Sequence, residues 1–144
     1  MNFCNEKNMV FLAPMAGVSD RAFREICKSY GASYTVTEMV SSKGLTMQDK
    51  KSKELLFISD IEHPAGAQIF GDSPETMALA AKKALEFNPD FIDINMGCPA
   101  PKIAGNCVLA LICDSQNVLH VFRRQSDPIA KNAIPLLRME FFLR

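Results

Sequence analysis

The 144-residue chain has no tryptophan, no net charge, and no apolar run long enough to cross a membrane. A membrane-spanning helix needs roughly 18 to 20 apolar residues in succession. Its first residues, Met1-Asn2-Phe3-Cys4-Asn5-Glu6-Lys7, hold no basic cluster leading into an apolar stretch, so no secretory signal is expected. The five cysteines (Cys4, Cys27, Cys98, Cys107, Cys113) are odd in number and include no C-x-x-C pair. Neither a disulfide framework nor a zinc site is indicated, no metal is expected, and a reducing cytoplasm is the default location. With 16 basic and 16 acidic residues, bulk charge gives no argument for nucleic acid, although a local basic face stays open. The composition, 48% apolar and 22% charged, is that of a globular domain rather than a disordered, collagenous or coiled-coil chain.

Strand and helix patterns alternate. Met9-Val10-Phe11-Leu12-Ala13 reads as a short buried strand closed by Pro14. Ser19-Asp20 opens a helix whose apolar positions, Ala22, Phe23, Ile26, Cys27 and Tyr30, share one face, with Gly31 as its C-cap. Tyr34-Thr35-Val36-Thr37-Glu38 is rich in β-branched residues and reads as a second strand. Residues 41–61 are polar, with a short helical piece around Ser52 to Phe57. Ala65 to Phe70 is a third strand. Ser73-Pro74-Glu75 then starts a helix with an N-cap, a proline at the first helical position and an acid near the dipole, running to about Phe87 before Asn88-Pro89. Phe91 to Asn95 is a fourth strand ending at Gly97-Cys98-Pro99.

Alternation of this kind implies parallel strands with right-handed crossovers. The spacing suits a TIM barrel, where about 250 residues in eight units give roughly 31 per unit. It suits a flavodoxin-like open sheet as well, and periodicity does not choose between them. After Asn106 the pattern changes: residues 107–144 contain no glycine, and no clean fifth strand–helix unit follows. The expected organisation is four βα units over residues 1–106 and a divergent, irregular or helical tail over 107–144.

In both parallel architectures ligands bind at the carboxyl ends of the strands. Those ends carry Pro14-Met15-Ala16-Gly17, Glu38-Met39, Gln68 and Asn95-Met96-Gly97-Cys98. Glycines and small residues let a flat ligand approach backbone closely, and methionines give soft apolar contact. Gln68 and Asn95 can each donate and accept, as a ring with an imide-type edge requires. Plainer readings stand beside these: turn glycines at Gly17 and Gly97, core methionines at Met15 and Met39, and structural cysteines at Cys4, Cys27, Cys107 and Cys113. Gln68 inside an apolar strand is harder to set aside, because a buried amide needs partners. His63 and His120 have no acid or serine at a readable spacing. Lys43, Lys50, Lys51 and Lys53 read as a solvated face, with an RNA-phosphate contact as the second reading. Lys102 is better placed for an anionic ligand.

Four blocks then point to a family. Ala13-Pro14-Met15-Ala16-Gly17-Val18-Ser19-Asp20 with Phe23-Arg24, Glu38-Met39-Val40-Ser41, Gln68-Ile69-Phe70-Gly71, and Asp93-Ile94-Asn95-Met96-Gly97-Cys98-Pro99-Ala100-Pro101-Lys102 stand in order. Together they resemble the tRNA-dihydrouridine synthases. The resemblance implies an α/β fold, a partial (β/α)8 TIM barrel that binds FMN, and a tRNA partner. By it, Pro14, Met15 and Ala16 line the flavin ring, Gln68 bonds its polar edge, and Asn95 sits beside flavin and base. Cys98 is the general acid, and Lys102 faces the RNA. NADPH reduces FMN, the flavin delivers hydride to C6 of a uracil, and the cysteine protonates C5 from the opposite face. The target uridine must be unstacked to enter.

The resemblance ends where the family's later elements would begin. The FMN-phosphate loops, the lysine and histidine strands and the RNA-binding domain are not recognisable after Asn106. A truncated synthase whose tail after Asn106 arises from a frameshift or a mis-called gene is the expectation. The alternative is an inactive fragment, or a non-catalytic half barrel that assembles with a partner across its sheet edge.

Overall fold

A computed structural model describes residues 9–95 of the chain. Helix α1, Arg21–Ser29, forms where the Asp20 side chain accepts from the Phe23 backbone N–H. It ends in a Schellman motif: Ala32 N–H bonds the Cys27 carbonyl and Gly31 N–H the Lys28 carbonyl, each at 3.0 Å. Gly31 sits at φ +95°, where a side chain would be strained.

The apolar positions that share a face of α1 are not fully buried. Ile26 is 55% and Tyr30 89% exposed, and the buried residue of the helix is Arg24. Its guanidinium Nε lies 2.5 Å from Glu62, which is fully buried. Arg24 also donates to the carbonyls of Ser19 (3.0 Å) and Phe57 (2.7 Å). Glu62 in turn accepts from the Ser59 backbone N–H at 2.8 Å and from its hydroxyl at 3.2 Å. The helix docks through a hydrogen-bonded charge pair, the arrangement in which buried ions are tolerated.

Four strands follow: β1 (Thr35–Val36), β2 (Val40–Ser41), β3 (Ala65–Phe70) and β4 (Phe91–Ile94). All pair in parallel with β3. Because β4 takes one edge of β3 from Gly66 to Ile69, β1 and β2 lie along the other edge as two halves of one strand. The strand expected over residues 9–13 is reduced to a single parallel bridge, Phe11 to Tyr34, flanked by Ser33 N–H to Val10 (2.8 Å) and Leu12 N–H to Tyr34 (2.9 Å). Spatial order therefore follows chain order. A flavodoxin-like sheet would place its first strand between the second and third. The chain is instead a partial (β/α)8 barrel.

The second strand is broken for a countable reason. Val36 pairs with Gly66 and Val40 with Ile69, so four steps on one strand face three on the other. The extra residue is a bulge, and it switches which face the side chains take. Before it, Tyr34 and Val36 pack with Phe91 on one face. After it, Val40 packs on the other with Ala67, Ile69, Ile92, Met77 and the alanines of the helix above. On the first face Phe11 stacks on Tyr34 at 4.8 Å, and Tyr34 meets Phe91 edge-on at 6.3 Å. Gly66 lies beneath this layer, and a Cβ there would overlap the Phe91 ring.

On the second face lie α2 (Ser42–Thr46), α3 (Lys50–Leu55) and α4 (Pro74–Ala84). The sequence signalled α4 and a version of α3; α2 was missed. Its Ser42 hydroxyl lies 3.3 Å from Thr76 Oγ1, and Lys83 of α4 donates to the Thr46 carbonyl at 2.8 Å. Helix α4 starts as expected on Ser73 and Pro74, then tightens into a 3-10 turn, Leu85–Phe87, before Asn88 at φ +54°. His63, read as partnerless, has its Nδ1 2.7 Å from Asp90, which also accepts the Ala65 N–H at 2.7 Å. Both lie at the amino ends of β3 and β4, where barrel residues serve stability.

Three variants test this packing. Gly66→Ala should cost about 1–3 kcal/mol through overlap with Phe91. Glu62→Ala should cost about 3–5 kcal/mol by stranding a buried guanidinium, and Arg24→Met with Glu62→Leu should cost less than Glu62→Ala alone. Urea denaturation of each variant gives the comparison; equal losses for the single and double variants would contradict it.

Candidate functional site

The loop after the first strand is held from three sides. Ser19, fully buried, has its hydroxyl between the backbone N–H (2.8 Å) and carbonyl (3.1 Å) of Met15. The Val18 and Ser19 N–H groups return to the same carbonyl at 3.0 and 2.9 Å. Gly17 turns the chain at φ +77° and donates its N–H to Glu38 Oε2. Arg24 fixes the Ser19 carbonyl from the helix side. The fixed loop leaves Met15 39% exposed and Ala16 exposed, so Met15 is not a core residue.

Glu38 reaches this loop because it belongs to the bulge. Thr37 N–H donates to the Gly66 carbonyl at 2.9 Å, while its hydroxyl accepts the Gln68 N–H at 3.0 Å. The Thr37 side chain thus replaces a backbone partner where the ladder is interrupted. Its hydroxyl passes its own hydrogen to the Glu38 carbonyl at 3.1 Å.

Gln68 and Asn95 meet next to the bulge. The Gln68 side chain, 6% exposed, donates from Nε2 to Asp93 Oδ2 at 2.6 Å. Asn95 donates from Nδ2 to Gln68 Oε1 at 3.3 Å, and the same nitrogen lies 3.4 Å from Met39 Sδ. Asn95 N–H also continues the ladder to the Ile69 carbonyl at 3.0 Å.

Of the residues singled out by sequence, Gln68 and Asn95 are in direct contact. Pro14, Met15 and Ala16 lie in the loop that Glu38 ties to the second strand. Cys98 and Lys102 lie outside the described residues, as does the boundary expected at residue 106. Sequence reasoning gave no separate role to Thr37, Glu38, Asp93 or Arg24. The signal was present in part: Glu38 and Asp93 are carboxylates inside apolar strand patterns, and a buried carboxylate must be bonded.

The basic cluster, Lys43, Lys50, Lys51 and Lys53, is exposed. Lys43 pairs with Asp72 at 3.0 Å, and its hydrogen bond holds the Asp72 carboxyl below the usual range. Lys50 lies 3.8 Å from Glu54 on α3. A shallow groove of about 450 Å³ is lined by Arg21, Lys50, Lys53, Glu54 and Phe57, side chains of the outer helices and the segment after α3 rather than of the strand ends. No helix among the described residues is long and apolar enough to cross a membrane.

Glu38→Ala tests the loop anchor. Removing a charged acceptor should cost about 1.5–3 kcal/mol and should speed amide exchange at Gly17 more than at Thr37. Unchanged exchange at Gly17 would contradict the assignment.

Comparison with known proteins places this geometry. The family model for dihydrouridine synthase (Dus) matches residues 11–122. Over 107 residues the chain is 44% identical to tRNA-dihydrouridine synthase B of Vibrio vulnificus (strain CMCP6), covering 72% of this chain and 33% of the relative. Over 97 residues it is 46% identical to tRNA-dihydrouridine synthase B of Shewanella oneidensis, covering 67% and 30%. A probable tRNA-dihydrouridine synthase of Aquifex aeolicus is 42% identical over 107 residues, covering 74% and 33%. The chain spans about a third of the length of these relatives. The match takes in the loop anchored by Ser19, the bulge and the Gln68–Asn95 pair. On that match the chain belongs to the dihydrouridine synthase family.

Proposed function

We propose that this chain carries the cofactor-ring and base-reading part of a site that reduces a tRNA uridine to 5,6-dihydrouridine. The observation that supports it most is the Gln68–Asn95 amide pair, linked through Met39 and Glu38 of the bulge to the anchored Met15–Ala16 loop, at the carboxyl side of parallel strands.

FMN fits the donor set. A flat ring can lie on a loop whose side chains at Ala16 and Gly17 are small, with Pro14 and Met15 as its apolar margin. Gln68 offers both amide hydrogen and carbonyl oxygen to a polar ring edge. When bound and reduced by NADPH, FMN would supply the hydride that C6 of the uracil receives. Asn95 orients the base, and Cys98, three residues further along the chain, holds the proton that C5 takes up. Lys102 meets an RNA phosphate. A cytoplasmic location follows from the tRNA substrate.

The exposed apolar side chains of Val10, Ile26 and Tyr30 favour a second reading, a half barrel that assembles with a further polypeptide. The test separates the two. The purified chain is given FMN, NADPH and unmodified tRNA, and dihydrouridine is measured by mass spectrometry. The first reading expects product. It also expects Cys98→Ala to lower its rate by about 100-fold or more, with NADPH oxidation through the flavin retained. Loss of both activities in Cys98→Ala would contradict the general-acid role. A chain that holds flavin yet forms no product in either variant supports the second reading.

A further inference from the structure

The hydrogen bonds among Asn95, Gln68 and Asp93 run in one direction. Asp93 can only accept when ionised, and its Oδ2 lies 2.6 Å from the Gln68 side chain. The atom facing it must therefore be the amide nitrogen. With Nε2 turned to Asp93, Oε1 is turned to Asn95, whose Nδ2 donates to it at 3.3 Å. Thr37 blocks sliding of this arrangement by holding the Gln68 backbone N–H at 3.0 Å. Gln68 is 6% exposed and Asp93 7%, so the bond is shielded from water.

We infer that Asp93 is a positioning residue that sets the polarity of Gln68, so that a ring ligand meets an N–H donor on the Asp93 side and a carbonyl acceptor on the Asn95 side. This rests on the reading of Gln68 as a ring-edge contact given above. Asp93 touches no substrate in this role. It acts by deciding which end of the amide faces which way, and so which of two flipped orientations of an imide-edged ring is accepted. A glutamine without the carboxylate could rotate by half a turn and offer the reverse order.

Exchanging the two groups separates polarity from mere bonding. In Gln68→Glu/Asp93→Asn the carboxylate and amide trade places, so the hydrogen bond can re-form with the donor now at position 93. Four forms of the full chain are compared: parent, Asp93→Asn, Gln68→Glu and the double exchange. Urea midpoints report folding, 15N side-chain amide spectra report the orientation of Gln68, and quenching of riboflavin fluorescence reports ring binding. The double exchange should regain most of the midpoint lost by the single variants. Its riboflavin affinity should stay at least tenfold below the parent, the scale of one charge-assisted bond. Asp93→Asn should abolish the carboxylate-shifted, exchange-protected Gln68 amide proton.

Recovery of riboflavin binding in the double exchange would overturn the inference, because polarity would then be irrelevant. An unchanged Gln68 amide signal in Asp93→Asn would overturn it as well. If the parent leaves riboflavin unquenched while the amide signal depends on Asp93, the positioning role stands and the ring-edge reading fails. If the single variants do not fold, the comparison of parent with double exchange still decides the matter.

Discussion

One extra residue in the second strand governs what the strand ends can offer. Four steps from Val36 to Val40 set against three from Gly66 to Ile69 cannot be paired throughout, so one residue must leave the ladder. That mismatch moves Val40 to the helix-facing core after Tyr34 and Val36 have faced the other way. It also releases Glu38 to capture the Gly17 N–H, sets Met39 against Asn95, and makes the Thr37 hydroxyl stand in as partner for Gln68. Without the extra residue, strict alternation would put residues 34, 36, 38 and 40 on one face.

The price of such a polar rim is a set of buried groups that water cannot reach, and each is met by a specific partner. Glu38 is met by a backbone N–H, Asp93 by an amide, and Glu62 by Arg24 together with Ser59. The Arg24–Glu62 pair extends the same logic below the site. It reaches the Ser19 carbonyl, and Ser19 holds Met15, so the exposed loop rests through Ser19 on a buried ion pair. Contacts of this kind specify position more than they add stability, since a buried ion pair gains little over well-packed apolar residues.

Much of this was legible in the sequence where the signal is local. The third and fourth strands, the capped start of α4 and the Gly31 terminus rest on neighbouring residues, and they stand where the pattern puts them. The fold class needed strand order, which periodicity does not carry. The bulge left no mark in composition, because a one-residue insertion looks like ordinary strand sequence. The docking of α1 was not legible for a related reason: its apolar stripe is the obvious feature, whereas the partner that buries Arg24 lies 38 residues further on. His63 and Asp90, 27 residues apart, were hidden in the same way. Helix α2 contains a glycine and spans five residues, too short and too weak in propensity to stand without its contacts to α4. The candidate site residues were singled out through the family blocks; the carboxylates beside Gln68 and the Gly17 loop were visible only as acids out of place.

We propose that the bulge, the anchored loop and the amide pair together form the face on which a flavin ring rests. The most direct measurement is the visible absorbance spectrum of the purified 144-residue chain after incubation with FMN and gel filtration, with folding checked on the same fraction by circular dichroism. The flavin band should elute with folded protein. Folded protein that elutes colourless would contradict it.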